Sequence, residues 1–222
     1  MKTSVKALGV IMDGNRRWAT EKGLPKQTGH KEGVERLISC IEWCEDFNID
    51  HVVFYAFSTE NWSRSTQEVK ALMDLFEYVL VELREKILEQ DIRIRFVGDF
   101  KKVPKQLMRL AHVLEEETKS KKKTAWICLS YGGRAELAHA AGQVAGRVTE
   151  KKLEQALWTA QMPDLDMIIR TGGNHRLSNF LLWKAAYAEL YFTKTKWPAF
   201  TKTHFKKALE WYEKNIEVNK GR

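Results

Sequence analysis

Ala7-Leu8-Gly9-Val10-Ile11-Met12-Asp13-Gly14-Asn15-Arg16-Arg17-Trp18-Ala19 turns from apolar to ionic at a single residue. The run Ala7 to Met12 carries no charge, as a buried strand of a parallel sheet would, so Asp13 is expected at the strand's carboxyl end. Open α/β sheets keep their ligand crevices at such ends. Gly14 lets backbone approach a ligand closely, and Arg16 and Arg17 offer forked donors that match phosphate oxygens. Taken alone, the same residues also read as an ordinary polar turn from strand to helix.

The chain beyond this stretch repeats the pattern. After a polar, glycine-punctuated segment from Thr20 to His30, the residues Val34, Leu37, Ile38, Ile41 and Cys44 recur at helical spacing. His51 to Phe57 is β-branched and aromatic, a second buried strand, and it runs into Ser58-Thr59-Glu60-Asn61-Trp62-Ser63-Arg64. Ser65 and Glu68 make a capping-box pattern that opens a long helix, Val69 to Leu88, with a wide apolar face. Ile92 to Val97 alternates with Arg93 and Arg95, a strand with one exposed face, and a helix is expected from near Pro104. Two further strands follow: Ala125 to Leu129, capped by Tyr131-Gly132-Gly133-Arg134, and Leu165 to Ile169, ending in Arg170-Thr171-Gly172-Gly173. This alternation predicts an α/β fold in one domain spanning residues 1–222, with a central, mostly parallel sheet of about six strands covered by helices on both faces.

A length of 222 residues suits one sizeable core, and a formal charge of +8 calls for an anionic partner. The arginines cluster at strand ends beside glycines, whereas a nucleic-acid surface would string them along an exposed face with aromatics between them, so no nucleic acid is expected. No segment is long and apolar enough to cross a bilayer, which predicts a cytoplasmic protein, at most peripheral to the membrane. Cys40, Cys44 and Cys128 lack metal-ligand spacing and read as small buried apolar residues.

A second ionic stretch lies between Arg170 and Phe192. Arg170 and Arg176 flank a double glycine, and Ser178 stands where an N-cap would precede a helix from Asn179 to Ala188, an arrangement that suits a diphosphate. Glu189 adjoins Tyr191 and Phe192, where a carboxylate needs a partner, either a metal or an arginine.

Met12 to Ala19, Gly29-His30 with Gly33, Phe57 to Arg64, Tyr131 to Arg134, Arg170 to Phe192 and Trp197-Pro198, in that order and over nearly the whole chain, resemble the cis-prenyltransferases, the undecaprenyl diphosphate synthase-like isoprenyl transferases. The resemblance implies a Mg²⁺-dependent homodimer that condenses an allylic diphosphate, such as farnesyl diphosphate, with successive isopentenyl diphosphates. Its product would be a cis-polyprenyl diphosphate, housed in an apolar tunnel and used as a lipid carrier for cell-wall or glycan synthesis. Carried over by position, Asp13 holds Mg²⁺ against the allylic diphosphate, while Gly14, Asn15, Arg16, Arg17, Lys26 and His30 surround that headgroup. Arg64, Arg170, Arg176, Leu177 and Ser178 correspond to the isopentenyl diphosphate site, and Glu189 to a further Mg²⁺ contact. Asn61 corresponds to the proton acceptor, with Ser58, Thr59 and Glu60 alongside. Since an amide is a feeble base, Asn61 is expected to orient the C–H or relay its proton to a phosphate oxygen. Trp18 and Trp62 are expected to wall the pocket.

The chain also departs from the family's pattern. Arg16 stands where a glycine is usual, Lys26 where arginine is, Asn174 where glutamate is frequent and Lys184 where glutamine is. The tail reads Asn215-Ile216-Glu217-Val218-Asn219 in place of an Arg-Arg-Phe-Gly run, which removes the residues that would make a phosphate contact there. A non-catalytic subunit of a heteromeric prenyltransferase is the rival reading, and the intact Asp13 and Asn61 argue against it. In the tunnel that the resemblance implies, Trp126 either points inward and stops elongation or faces a covering helix as core, and strand alternation leaves both open.

Overall fold

An uncharged strand belongs in the middle of a sheet with both faces covered, and β1 (Ala7–Ile11) is buried at every position. The computed structural model describes residues 3–216. After β1 come α1 (Asn15–Glu21), α2 (Lys26–Asp46), β2 (His51–Ser58), α3 (Thr66–Glu82), α4 (Arg84–Leu88), β3 (Ile92–Val97) and α5 (Lys105–Thr118). The remainder is β4 (Lys123–Tyr131), α6 (Gly133–Gln143), α7 (Glu150–Ala156), β5 (Met167–Arg170), β6 (Glu189–Phe192) and α8 (Lys202–Asn215). The six strands form one sheet in the order β3-β4-β2-β1-β5-β6, and every pairing is parallel. The chain winds from β1 through β2 to the β3 edge, then returns to β1's other side for β5 and β6. The winding therefore changes direction between β1 and β5, and the register pairs Ile11 with Arg170 at their carboxyl ends. A doubly wound sheet opens its crevice at such a switch point.

Side-chain alternation divides the sheet between two cores. Leu8, Val10, Phe54, Ala125 and Ile127 face the larger one, closed by Ile41 of α2, Leu80 of α3, Leu114 of α5 and Phe205 of α8. Ala7, Ile11, Val53, Trp126 and Ile168 face the other, closed by Met162, Phe180, Leu181 and Ala185. Trp126 thus points away from α3, with the Arg95 guanidinium 5.0 Å from its ring centroid, and it is plain core of the second face. The three cysteines are buried free thiols.

Two expectations about helices need correction. The long helix breaks at Leu83, where ψ of 7° interrupts the α-helical run and gives two pieces, α3 and α4. The helix expected over Asn179–Ala188 is absent. Ser178, Asn179 and Leu181 take φ of 51°, 67° and 42°, and their neighbours bond to other elements, Gly133 N–H to Asn179 O at 2.8 Å and Leu165 N–H to Lys184 O at 2.8 Å. Periodic apolar residues there pack under the sheet rather than along a helix. The residues after this segment add β6, which brings the sheet to the expected count of about six strands.

Lys184 is a buried ammonium on the second face, 2.7 Å from Glu154 Oε1 and 3.4 Å from Asp164 Oδ1. Of the atypical tail, residues 217–222 lie outside the described residues. Among the described residues no helix is long and apolar enough to cross a membrane.

Candidate active site

Asp13 sits two residues beyond β1, facing the end of β5. Its Oδ2 accepts from Arg170 Nη2 at 3.0 Å and from Asn174 Nδ2 at 2.7 Å, and its Oδ1 from Arg17 Nη2 at 3.1 Å. Its backbone is pinned as well, with the N–H donated to Thr171 Oγ1 at 3.0 Å and the C=O accepting from that hydroxyl at 2.8 Å and from Trp197 N–H at 3.0 Å. Partial burial alone would raise this carboxyl's pKa, but the hydrogen bonds from Asn174 and Arg170 and the charges of Arg170 and Arg17 outweigh it and hold the group below its usual value. Asp13 is therefore an anion at neutral pH. Two glycines make this close approach possible. Gly14 has φ of 106°, and Gly172 has φ of 81°, where a Cβ would stand 2.7 Å from Arg17 Nη2 and 2.9 Å from Asp13 O.

A basin of about 520 Å³ opens beside Asp13, lined by Gly14, Asn15, Arg16, Arg17, Lys26, His30 and Arg64. Close packing of α1 on α2 builds it. A Cβ at Gly29 would lie 2.1 Å from the backbone Asn15 O, so this position admits only glycine if α1 and α2 are to meet, and one at Gly33 would lie 2.9 Å from Asn15 Oδ1 and push that side chain aside. Trp197 locks the junction by donating its indole N–H to Gly33 O at 2.8 Å. Burial, then the charges of Arg64 and Arg16, push His30 down to about 4, so its imidazole is neutral at pH 7 despite Glu68 nearby. Asn15 Oδ1 and Arg170 Nε are buried with no hydrogen-bond partner.

The basin adjoins an apolar cavity of about 130 Å³ between the sheet and helices α2 and α3, walled by Leu37, Ile41, Phe76, Val79 and Ile127. Met12, Asn15 and His30 line both spaces, so polar and apolar compartments meet at those three residues.

Arg170 connects this site to the second ionic stretch. Its side chain is only 5% exposed, and Nη1 donates to the Arg176 carbonyl and to Ser178 Oγ, the latter at 2.7 Å. Arg170 thus gathers the Arg176 backbone and the Ser178 hydroxyl beside Asp13, and Ser178 binds the guanidinium rather than capping a helix. Arg176 is exposed, and Leu177 packs against the second core. Arg64, expected with this group, instead lines the basin with Arg16 and His30.

Thr59–Ser63 forms a 3₁₀ turn, capped by Ser58, where β2 departs from regular pairing with β4. Asn61 Oδ1 accepts the Ser58 N–H at 3.1 Å and so holds its own turn. Thr59 Oγ1 donates to Glu60 Oε2 at 3.1 Å, and Glu60 Oε1 accepts from Asn179 Nδ2 at 2.8 Å, which ties this turn to the strained loop after Ser178. Neither Trp18 nor Trp62 lines the basin or the cavity. Lys22 covers the Trp18 ring at 4.4 Å, and Trp62 packs edge-on against Phe57 at 4.9 Å while donating to Ser130 Oγ at 2.9 Å.

Two residues join the site that were given no role from the sequence, Thr171 and Asn174, the latter noted there only as a departure from a frequent glutamate. Their adjacency to Arg170 and the double glycine was the available signal. Glu189 lies elsewhere: it pairs with Met167, which pairs with Leu8, so it stands five residues short of Asp13's level, about 16 Å away along the strand direction. Among the described residues no three His, Cys, Asp or Glu side chains cluster as a metal site.

The family model described as "Putative undecaprenyl diphosphate synthase" matches residues 11–218. The isoprenyl transferase of Aquifex aeolicus is 41% identical over 212 residues, 93% of this chain and 92% of that one. Lavandulyl diphosphate synthase from Lavandula x intermedia, solved in complex with dimethylallyl diphosphate, has a TM-score of 0.89 at 30% identity, covering 94% of this chain and 95% of its own. A probable undecaprenyl diphosphate synthase from Campylobacter jejuni has a TM-score of 0.80 at 33% identity, covering 95% of each chain.

Proposed function

The chain belongs to the undecaprenyl diphosphate synthase family of prenyltransferases, and from that premise we propose that it extends an allylic diphosphate with successive isopentenyl diphosphates to a cis-polyprenyl diphosphate, using Mg²⁺. The observation that carries this reading is the junction at Met12, Asn15 and His30, where a cationic basin meets an apolar cavity. A prenyl diphosphate has the same two halves.

In the reaction the allylic C–O bond breaks, a C–C bond to isopentenyl diphosphate forms, and a proton leaves. Arg16, Arg17, Lys26 and Arg64 bind the leaving diphosphate, whose growing charge they stabilise most at the transition state. His30, being neutral, is free to donate or accept one hydrogen bond at that headgroup without adding to the crowd of cations. Arg170, Arg176 and Ser178 hold the second diphosphate on the other side of Asp13. Asn61 keeps its oxygen on the Ser58 N–H, so its NH₂ faces outward as a donor that orients substrate, and the proton goes to a diphosphate oxygen.

The donor set fits Mg²⁺ of the kind bound by one carboxylate and completed by substrate phosphates, since Asp13 is an ionised carboxylate within the ring of phosphate-binding groups. The ion would supply charge neutralisation of the leaving group. Glu189 would reach such an ion only from the second protomer of the homodimer that the resemblance implies.

The test is incubation of the purified protein with labelled isopentenyl diphosphate, farnesyl diphosphate and Mg²⁺, followed by lipid extraction. Label in long-chain lipid that disappears in excess chelator is the expected result. A folded protein that yields none with any allylic primer would overturn the proposal, and undiminished turnover in chelator would remove the metal from it.

A further inference from the structure

The basin gathers Arg16, Arg17, Lys26 and Arg64, and like charges so close together repel unless an anion sits among them. Two of the carboxylates around them already have their own partners, only one of which, Arg17, belongs to this group of cations. Asp13 is engaged by Arg170, Asn174 and Arg17, and Glu21 by Lys196 at 2.6 Å. The remaining one is Glu68, which comes from a different element. It stands in the first turn of α3, and its Oε1 lies 3.0 Å from Arg16 Nη2. Its charge is felt by Arg64 and His30 as well.

Glu68 also lines a groove of about 540 Å³ between α2 and α3, with Arg16, Lys26, His30 and Arg64 at one end and Leu72, Leu75 and Tyr78 along its side. Lys31 and Asp74 complete the charges there. Leu72 and Leu75 line the inner apolar cavity too, so α3 is the wall of the compartment for the tail, and its first turn is fastened to the compartment for the headgroup through one ion pair.

We propose that Glu68 is a built-in competitor of the substrate diphosphate: it neutralises Arg16 while the basin is empty and yields the guanidinium when the headgroup arrives. This rests on reading the basin as the diphosphate cradle. A diphosphate carries more charge and more acceptor oxygens than a carboxylate, so it wins the exchange, and α3 is then released from the cradle as the prenyl tail enters beside it. Arg16 is thereby a residue that couples headgroup binding to tail housing, a role that a glycine at the same position has no side chain to perform.

The test is calorimetric titration of inorganic diphosphate, in chelator and at low ionic strength, into wild type, Glu68→Gln, Arg16→Gln and the double variant. Gln at position 68 keeps the helix start, because Ser65 Oγ receives the backbone N–H of residue 68 at 3.3 Å. Glu68→Gln should bind about two- to fivefold more tightly than wild type, the range expected from removing an exposed competing pair. In the Arg16→Gln background the same change should gain almost nothing. Equal gains in both backgrounds would reduce Glu68 to a nearby charge and overturn the proposal, as would unchanged or weaker binding by Glu68→Gln. If wild type binds no diphosphate at all, the cradle reading itself fails first, and the two failures are told apart by that single trace.

Discussion

Asp13→Ala tests stability and chemistry together, because Asp13 is both the proposed metal ligand and the anion paired with a buried guanidinium. Arg170 is 5% exposed and Asp13 27% exposed. Removing one partner of a fully buried pair costs about 3 to 5 kcal/mol. Here the cost should be less, about 2 to 3 kcal/mol, because Asp13 is partly hydrated and Arg170 keeps Ser178 Oγ and the Arg176 carbonyl. For a chain of this size that corresponds to a fall in Tm of about 5 to 10 °C, measurable by calorimetry. Turnover of labelled isopentenyl diphosphate, assayed below the lowered Tm, should drop by about 10³-fold or more. Asp13→Asn should recover part of the stability, since it keeps an acceptor for Arg170, and none of the activity. The pair also sets a pH dependence. Because the folded pKa lies below the usual 3.8, the stability it contributes is present above that value and is lost as pH falls through the folded pKa, a loss that Asp13→Asn should not show. An unchanged Tm in Asp13→Ala would refute the ion-pair argument, and retained turnover would refute the catalytic one.

His30 should titrate by NMR near pH 4 in the free protein and higher once inorganic diphosphate is bound, since an anion favours imidazolium; a free-protein midpoint near 6.5 would remove the buried cationic setting. With the folded pKa lowered, the unfolded chain takes up that proton first as pH falls from 6.5 towards 4, so stability should decline across this window in wild type and less so in His30→Gln. Arg176→Ala should leave Tm unchanged, because its side chain is exposed and only its backbone serves Arg170, while raising KM for isopentenyl diphosphate about ten- to a hundredfold and KM for the primer little; equal effects on both would dissolve the two-site assignment. Trp126→Ala should cost about 3 to 5 kcal/mol in a denaturant titration without changing product length, whereas Ile127→Ala, on the cavity side, should lengthen the products sized by chromatography. Longer products from Trp126→Ala would contradict the face assignment.

Residues whose roles follow from their immediate neighbours were legible in the linear chain. The uncharged run before Asp13 predicts a buried strand, and the strand's end predicts a crevice, because burial and backbone pairing act on every residue of a short segment alike. Ser65 as a helix cap and Pro104 at the head of α5 are equally local, since each satisfies or dispenses with N–H groups of the next turn. What the tertiary structure decided is where distant segments meet. Strand alternation leaves Trp126 two equivalent faces, and only the crossover to β4 chooses between them. The stretch after Ser178 has the apolar spacing of a helix, yet Gly133, Tyr55 and Leu165 take its backbone groups, so the helical ladder never forms. The resemblance gives Glu189 and Asp13 to one Mg²⁺, but β6, joined to β1 through β5 in parallel, holds them at different levels. Glu68 opens a helix in the sequence and becomes the partner of Arg16 only because the fold brings the first turn of α3 within 3.0 Å of the Arg16 guanidinium. In each case the energy that decides, burial of a face or pairing of a charge, comes from residues far along the chain, and no local pattern carries it.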